Sequence, residues 1–388
     1  MPAVILLLII YLAFISLGLP DSILGVVIPA LQKDWGISLG AGGVISMITI
    51  GGTIVSSFTS GHIIGRFGTG KIILISCLLT GSALFGFSFA PSYYWLLFLA
   101  VPLGLGGGSV DTALNNYVAL HFKARHMNWL HSFWGVGATI GPLIMARTLQ
   151  HSFSWRSGYR TISYIQLLLA VILMFSMPLW AWHNRTKKTE NENGGKAQPN
   201  KARVFGIRGV KHAFAVMLLY CSVEISVGLW GSSFLVRAKG FSIENAASWM
   251  ALYYGGITAG RFLAGFVSFK LTNVQMIRTG ILTALAGTFF LFLPLPPVFL
   301  GPSFILTGLG LSPVFPAMLH ETPVRFGTDM SQKIVGYQMG FGYIGSALIP
   351  PLLGLILQYA GVALFPALMS AAVLAMFIVS EGLRLIVR

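Results

Sequence analysis

Apolar runs long enough to cross a lipid bilayer recur twelve times along the 388-residue chain, and no other feature restricts its fold as strongly. About 20 consecutive apolar residues cover the roughly 30 Å of hydrocarbon in a membrane. Between charged or turn-rich breaks such runs are predicted at 3–30, 40–64, 71–90, 94–119, 128–149, 159–182, 209–236, 243–267, 274–293, 297–319, 332–358 and 363–383. Lipid offers no partner to backbone N–H and C=O groups, so runs of this kind fold as helices. Composition agrees: 55% of residues are hydrophobic and 9% charged, against about a quarter charged in a soluble domain. The expected fold class is an all-α polytopic membrane protein with twelve transmembrane helices. The first run lacks a basic leader and a small-residue cleavage site, and is read as a retained helix.

The net charge of +15 would suggest nucleic acid in a soluble chain. Here its placement points elsewhere. All but six of the 25 Lys and Arg fall on the side shared by both termini and the one long polar break, so the positive-inside rule makes the termini cytoplasmic, in a multi-pass protein of the inner (plasma) membrane. That break, NRTKKTENENGGKAQPNKAR, divides the chain into an N-terminal six-helix bundle (1–182), a cytoplasmic linker (183–208) and a C-terminal six-helix bundle (209–388). The basic excess is topological, and no nucleic-acid partner is expected. Trp35, Trp95, Trp155, Trp180 and Trp182 lie near span ends, where interfacial anchors collect.

The halves superpose in sequence at one offset. Moving the first half by 204 residues places Gly51-Gly52 on Gly255-Gly256, Gly61 on Gly265, Arg66 on Lys270, and Gly104-Leu105-Gly106 on Gly308-Leu309-Gly310. Parallel six-helix repeats around a central site are the pattern of major facilitator transporters. The loop after the second run, with Gly61, Arg66, Gly68 and Lys71, resembles that superfamily's G-x-x-x-D-R-x-G-R-R/K signature. Gly65 stands in place of the acid. A tight turn with a snorkelling Arg is the structural alternative for this segment. Gly104, Gly106, Gly107, Gly108, Gly135, Gly137 and Gly141 provide smooth faces for close helix approach. Pro20, Pro142, Pro313, Pro316 and Pro350-Pro351 are candidate helix interruptions.

Of ten acidic residues, seven map to loops, the linker or span ends, leaving Asp21, Asp111 and Glu224 within the spans. A charge at a helix centre costs at least about 2.5 to 3.5 kcal/mol, so an intramembrane acid is a functional candidate, here for ion coupling. Asp111 has a structural alternative, pairing with Arg147 or His131. Asn115, Asn116, His131, Trp134, Trp230, Tyr253, Tyr254, Gln338 and Tyr343 supply amides and aromatic faces suited to a sugar, with interhelical hydrogen bonding as the alternative for Asn116 and Gln338.

Within the superfamily the chain resembles the fucose permease group of sugar:cation symporters. The resemblance rests on Gly18, Pro20 and Asp21, on the Gly-rich run to Asp111, Asn115 and Asn116, on His131 to Gly135 with Gly141-Pro142, on Glu224, and on Ser312 to Pro316. It implies import of a hexose by a monomer, coupled to H+ or Na+ through Asp21 and Asp111, with no cofactor. A proton-coupled exporter of amphipathic compounds is the alternative, and a lipid flippase or sensor using the basic linker is a third. No Walker, nucleophile-elbow or H-E-x-x-H motif is present, and Cys77 and Cys221 have no metal-ligand spacing, so no enzyme or metal is expected.

Overall fold

The computed structural model describes residues 2–122, 124–150, 154–188 and 204–387, which form fourteen α-helices arranged as twelve spans. The first span is split into α1 (Pro2–Asp21) and α2 (Ile23–Trp35). Then follow α3 (Leu39–Phe67), α4 (Thr69–Ser88), α5 (Tyr93–His121), α6 (Ala124–Gln150) and α7 (Trp155–Lys188). The second half comprises α8 (Val210–Lys239), α9 (Ile243–Val267), α10 (Asn273–Phe292), a tenth span split into α11 (Leu300–Leu311) and α12 (Val314–Phe326), α13 (Thr328–Ala360) and α14 (Phe365–Ile386).

Several helices outrun the apolar segments by about a turn, because a helix continues into the interface once its polar residues can meet water. α7 continues to Lys188, past the boundary expected at 182, and residues 189–203 of the expected linker lie outside the described residues. Among the described residues, ten spans qualify for the membrane by length and hydropathy alone; the other two, α6 and α9, fall below that hydropathy and pack against one another.

Both split spans follow from proline. Pro20 has no N–H to offer the Ser16 carbonyl four residues back, and the Gln166 amide on α7 donates to that carbonyl instead. Pro313 likewise frees the Leu309 carbonyl, which accepts the Ser312 hydroxyl at 2.7 Å. Pro142 and the Pro350-Pro351 pair sit inside unbroken helices. Trp155 and Trp180, expected as interfacial anchors, are buried: the Trp155 indole N–H donates to Asp34 at 2.7 Å and that of Trp180 to Ser176 at 3.2 Å. Their polar edges are satisfied inside the bundle, so nothing draws them to the headgroups.

The sequence repeat is a packing repeat. Gly104 of α5 abuts the Thr49 carbonyl on α3, and Gly308 of α11 abuts the Tyr253 carbonyl on α9. Gly106 meets Ser76 and Thr80 on α4, where Gly310 meets Gly280 and Ala284 on α10. Each pair of partners is separated by the same 204 residues, so the same helix crossings are built twice.

The halves meet through α2 on α8, α3 on α13 and α6 on α9. At the end remote from the termini they are tight. A Cβ on Gly25 would lie 2.7 Å from the Leu229 Cα, one on Gly43 2.8 Å from the Pro351 Cα, and the Gly40 N–H donates to Gln358 at 3.1 Å. Towards the termini, a Cβ added at Gly51, Gly336 or Gly340 meets nothing within 4 Å. α3 and α13 therefore touch at one end and leave space at the other.

Candidate functional site

The groups that lipid cannot host converge where α1, α6, α8 and α9 meet. Glu224 lies midway along α8, and its carboxylate receives Arg261 of α9 at 3.3 Å. The two side chains are only 12% and 13% exposed. Arg261 also donates through Nη1 to the His131 carbonyl on α6 at 3.2 Å, and its guanidinium lies 4.8 Å from the Trp134 ring. The Trp134 indole N–H in turn donates to the Asp21 carboxylate at 2.9 Å. A continuous chain, Glu224 to Arg261 to Trp134 to Asp21, thus links the C-terminal half to the N-terminal half.

Each member is positioned by local structure. Asp21 closes α1 at the break that Pro20 imposes, which leaves its carboxylate exposed in the middle of the first span although it faces Trp134. Gly18 and Gly137 bring α1 and α6 into backbone contact, which sets the Trp134 indole over Asp21. Tyr253 is fully buried and its hydroxyl donates to the Glu224 carbonyl at 3.0 Å. Tyr254 packs edge-on against Tyr253, ring centroids 5.0 Å apart, with its hydroxyl against Gly228. The Thr139 and Thr258 hydroxyls pair across the halves at 3.1 Å.

A second polar group lies nearer the termini. Asn115 donates to the Asp111 carboxylate at 2.8 Å, one helical turn away on α5. Asp111 and Asp21 are close enough to interact electrostatically. Tyr343 of α13 lies near Ser57 of α3 and Asp111 of α5, in the space between the halves.

The remaining candidates are placed elsewhere. Asn116 is exposed, about 100° round α5 from Asn115. The His131 ring stands edge-on to Phe14 at 5.8 Å, and the residue reaches the network through its backbone carbonyl. Trp230 is fully buried and donates to the Pro350 carbonyl at 2.8 Å, packed behind Gly43 and Gly354. Gln338 is buried between α12 and α13, accepting from Thr322 at 2.8 Å. Asp111 takes Asn115 as its partner, while Arg147 lies in the last turn of α6, towards the opposite end. Of the loop signature, Gly61 lies in α3, Arg66 in its last turn 5.6 Å over Phe67, Gly68 turns the chain at φ 83°, and Lys71 is exposed at the start of α4.

Arg261 is the residue that sequence reasoning missed. It stands six residues from the end of its span, and such positions are ordinarily charges that define topology. The signal was available: the Phe262-Leu263 pair and Phe266 follow it, so apolar turns flank the cation on both sides.

Chemically, the site offers three carboxyls, one guanidinium and a wall of Trp and Tyr. Arg261, which donates from one nitrogen to a carboxylate oxygen and from another to a carbonyl, retains donors for a further partner, since a guanidinium carries five N–H groups.

The Major Facilitator Superfamily family model matches residues 10–350. The chain is 22% identical to the cis,cis-muconate transport protein of Acinetobacter baylyi over 93% of this chain and 89% of that protein. It is 25% identical to the 4-hydroxybenzoate transporter PcaK of Pseudomonas aeruginosa over 70% of this chain and 67% of that one. In fold it resembles the crystal structure of a D-xylose-proton symporter, with a TM-score of 0.75 at 15% identity, covering 99% of this chain and 97% of that one.

Proposed function

The chain belongs to the major facilitator superfamily and is a secondary transporter, and from that premise we propose that it is a proton-coupled symporter of a small organic carboxylate. Arg261 carries this reading. It is a buried guanidinium at the junction of the halves, stacked on Trp134 and bonded to Glu224 through one nitrogen. A planar guanidinium binds a carboxylate in a two-point fork, and the aromatic walls suit an unsaturated or aromatic acid. The muconate and 4-hydroxybenzoate transporters, whose substrates carry carboxylates, support the same class.

Coupling follows from the charge balance. With Asp21, Asp111 and Glu224 ionised, one guanidinium faces three carboxylates, and an incoming anion meets net repulsion. Protons binding to these acids remove it. A substrate carboxylate then shares Arg261 with Glu224 through the remaining guanidinium donors, and the proton and the anion travel together. The halves then rock about the site, which faces the side carrying the termini; the excess of basic residues on that side makes it the cytoplasm of the inner membrane.

A second reading, a cation-coupled monosaccharide symporter as in the fucose permease group, is favoured by the Asp111–Asn115 pair beside Tyr343, donors and acceptors suited to sugar hydroxyls. The readings separate in proteoliposomes under an imposed inward proton gradient, supplied externally with labelled 4-hydroxybenzoate, muconate, xylose or fucose. Gradient-driven accumulation of an acid, abolished by Arg261→Gln, supports the first. Accumulation of a sugar without any acid overturns it.

A further inference from the structure

Away from the central site, at the end of the C-terminal half that carries the termini, α10, α12 and α14 enclose a cleft of about 360 Å3 lined by Val274, Glu321, Val324, Arg325, Arg384 and Val387. Its charges do not cancel. Glu381 receives Arg384 at 2.7 Å and Arg278 at 3.1 Å, while Glu321 receives Asn273 at 3.1 Å and faces Arg325 at 3.6 Å. Among the described residues, three guanidiniums thus share two carboxylates and one positive charge is left over. The surplus falls on Arg278 and Arg384, 49% and 28% exposed, which share Glu381, while Arg325, 9% exposed, is paired with Glu321.

Further along the same α10–α14 seam a second cavity of about 470 Å3 opens, lined by Leu282, Phe289, Ala371 and Leu374 among others. Leu282, Phe289 and Leu374 are exposed, so this groove lies on the outer surface of the bundle, where lipid chains run. At 1.5 Å per residue, Leu282 to Phe289 lie about 12 to 22 Å along α10 from Val274. One leaflet of hydrocarbon is about 15 Å deep. A headgroup in the charged cleft would therefore bring the end of its acyl chain to the near edge of the groove.

We propose that this seam binds one anionic phospholipid from the leaflet beside the termini, its phosphate between Arg325 and Arg384 and a chain in the α10–α14 groove. The surplus positive charge selects an anionic headgroup over a zwitterionic one, and the groove on the same two helices selects a lipid over a free anion. The site shares no residue with the transport site.

Native mass spectrometry of the purified full-length protein, titrated with dioleoylphosphatidylglycerol, dioleoylphosphatidylcholine or inorganic phosphate, tests this. One bound phosphatidylglycerol is expected, held more tightly than phosphatidylcholine, and phosphate should not displace it. At about 1 kcal/mol per basic residue near a membrane surface, the Arg325→Gln/Arg384→Gln variant should bind phosphatidylglycerol about thirtyfold more weakly. Ala371→Trp, which fills the groove and leaves every charge in place, should also weaken it, and keeps the test decisive if the double variant does not fold. Equal affinity for the two lipids, displacement by phosphate, or undiminished phosphatidylglycerol binding by either variant would overturn the proposal.

Discussion

Gly25→Ala should shift the protein away from the conformation described here. Gly25 of α2 packs directly on the backbone of α8, and an added Cβ would lie 2.7 Å from the Leu229 Cα and 2.8 Å from its carbonyl oxygen, closer still to the Gly228 carbonyl. Ordinary contact begins at 3.4 Å, so the two helices would have to part by at least about 0.7 Å. The obstructing atoms are backbone and cannot rotate away. Overpacking of this kind costs about 1 to 3 kcal/mol. Because the contact joins the two halves, that cost falls on the state in which they are closed at this end, and lowers its population about 5- to 150-fold against the state open there. Alanine is the better helix former, so α2 itself is not weakened. Spin labels on cysteines replacing the exposed Lys33 and Lys239, one on each half, in a background without Cys77 and Cys221, report the separation by pulsed electron resonance. A new or enlarged long-distance population is expected. Gly137→Ala is the control, since its clash with Ile15 lies within the N-terminal half and should lower the melting temperature without altering that distance. A Gly25→Ala distribution identical to the parent would refute the reasoning.

Removing either partner of the Glu224–Arg261 pair strands a buried charge, so Glu224→Gln and Arg261→Gln should each lower stability by about 3 kcal/mol, and the double variant by less than their sum, as measured by thermal unfolding. Asp111→Asn should abolish gradient-driven accumulation while preserving substrate exchange; unchanged accumulation removes Asp111 from coupling. Arg156 lies 4.3 Å over Trp155 and 5.5 Å over Trp35, and donates to the Ala90 carbonyl at 3.1 Å. Arg156→Ala should therefore cost about 1 to 2 kcal/mol of stability without changing substrate affinity, read by thermal shift alongside uptake kinetics. Deleting residues 186–200 should leave transport largely intact, and loss of uptake with normal membrane insertion would assign the linker a direct role.

The sequence by itself determined the class, the number of spans and the internal repeat. Membrane thickness fixes how long an apolar run must be, and the absence of water fixes that it is helical, so composition and spacing suffice. It also identified the glycine faces and singled out Asp21, Asp111 and Glu224, because a carboxylate within an apolar run stands out at any position. Tertiary structure alone decided what those acids meet. Asp111 found Asn115 one turn away, whereas the partner of Glu224 came from α9, 37 residues on, and that of Asp21 from α6, 113 residues on. Trp230 and Gln338 resemble ligand groups in sequence, yet helix crossings turned them towards a proline carbonyl and a threonine. Periodicity tells which residues share a helix face. Which faces oppose each other depends on how twelve helices cross, and so Arg261, one cation among 25 in the sequence, became the centre of the site only in the fold.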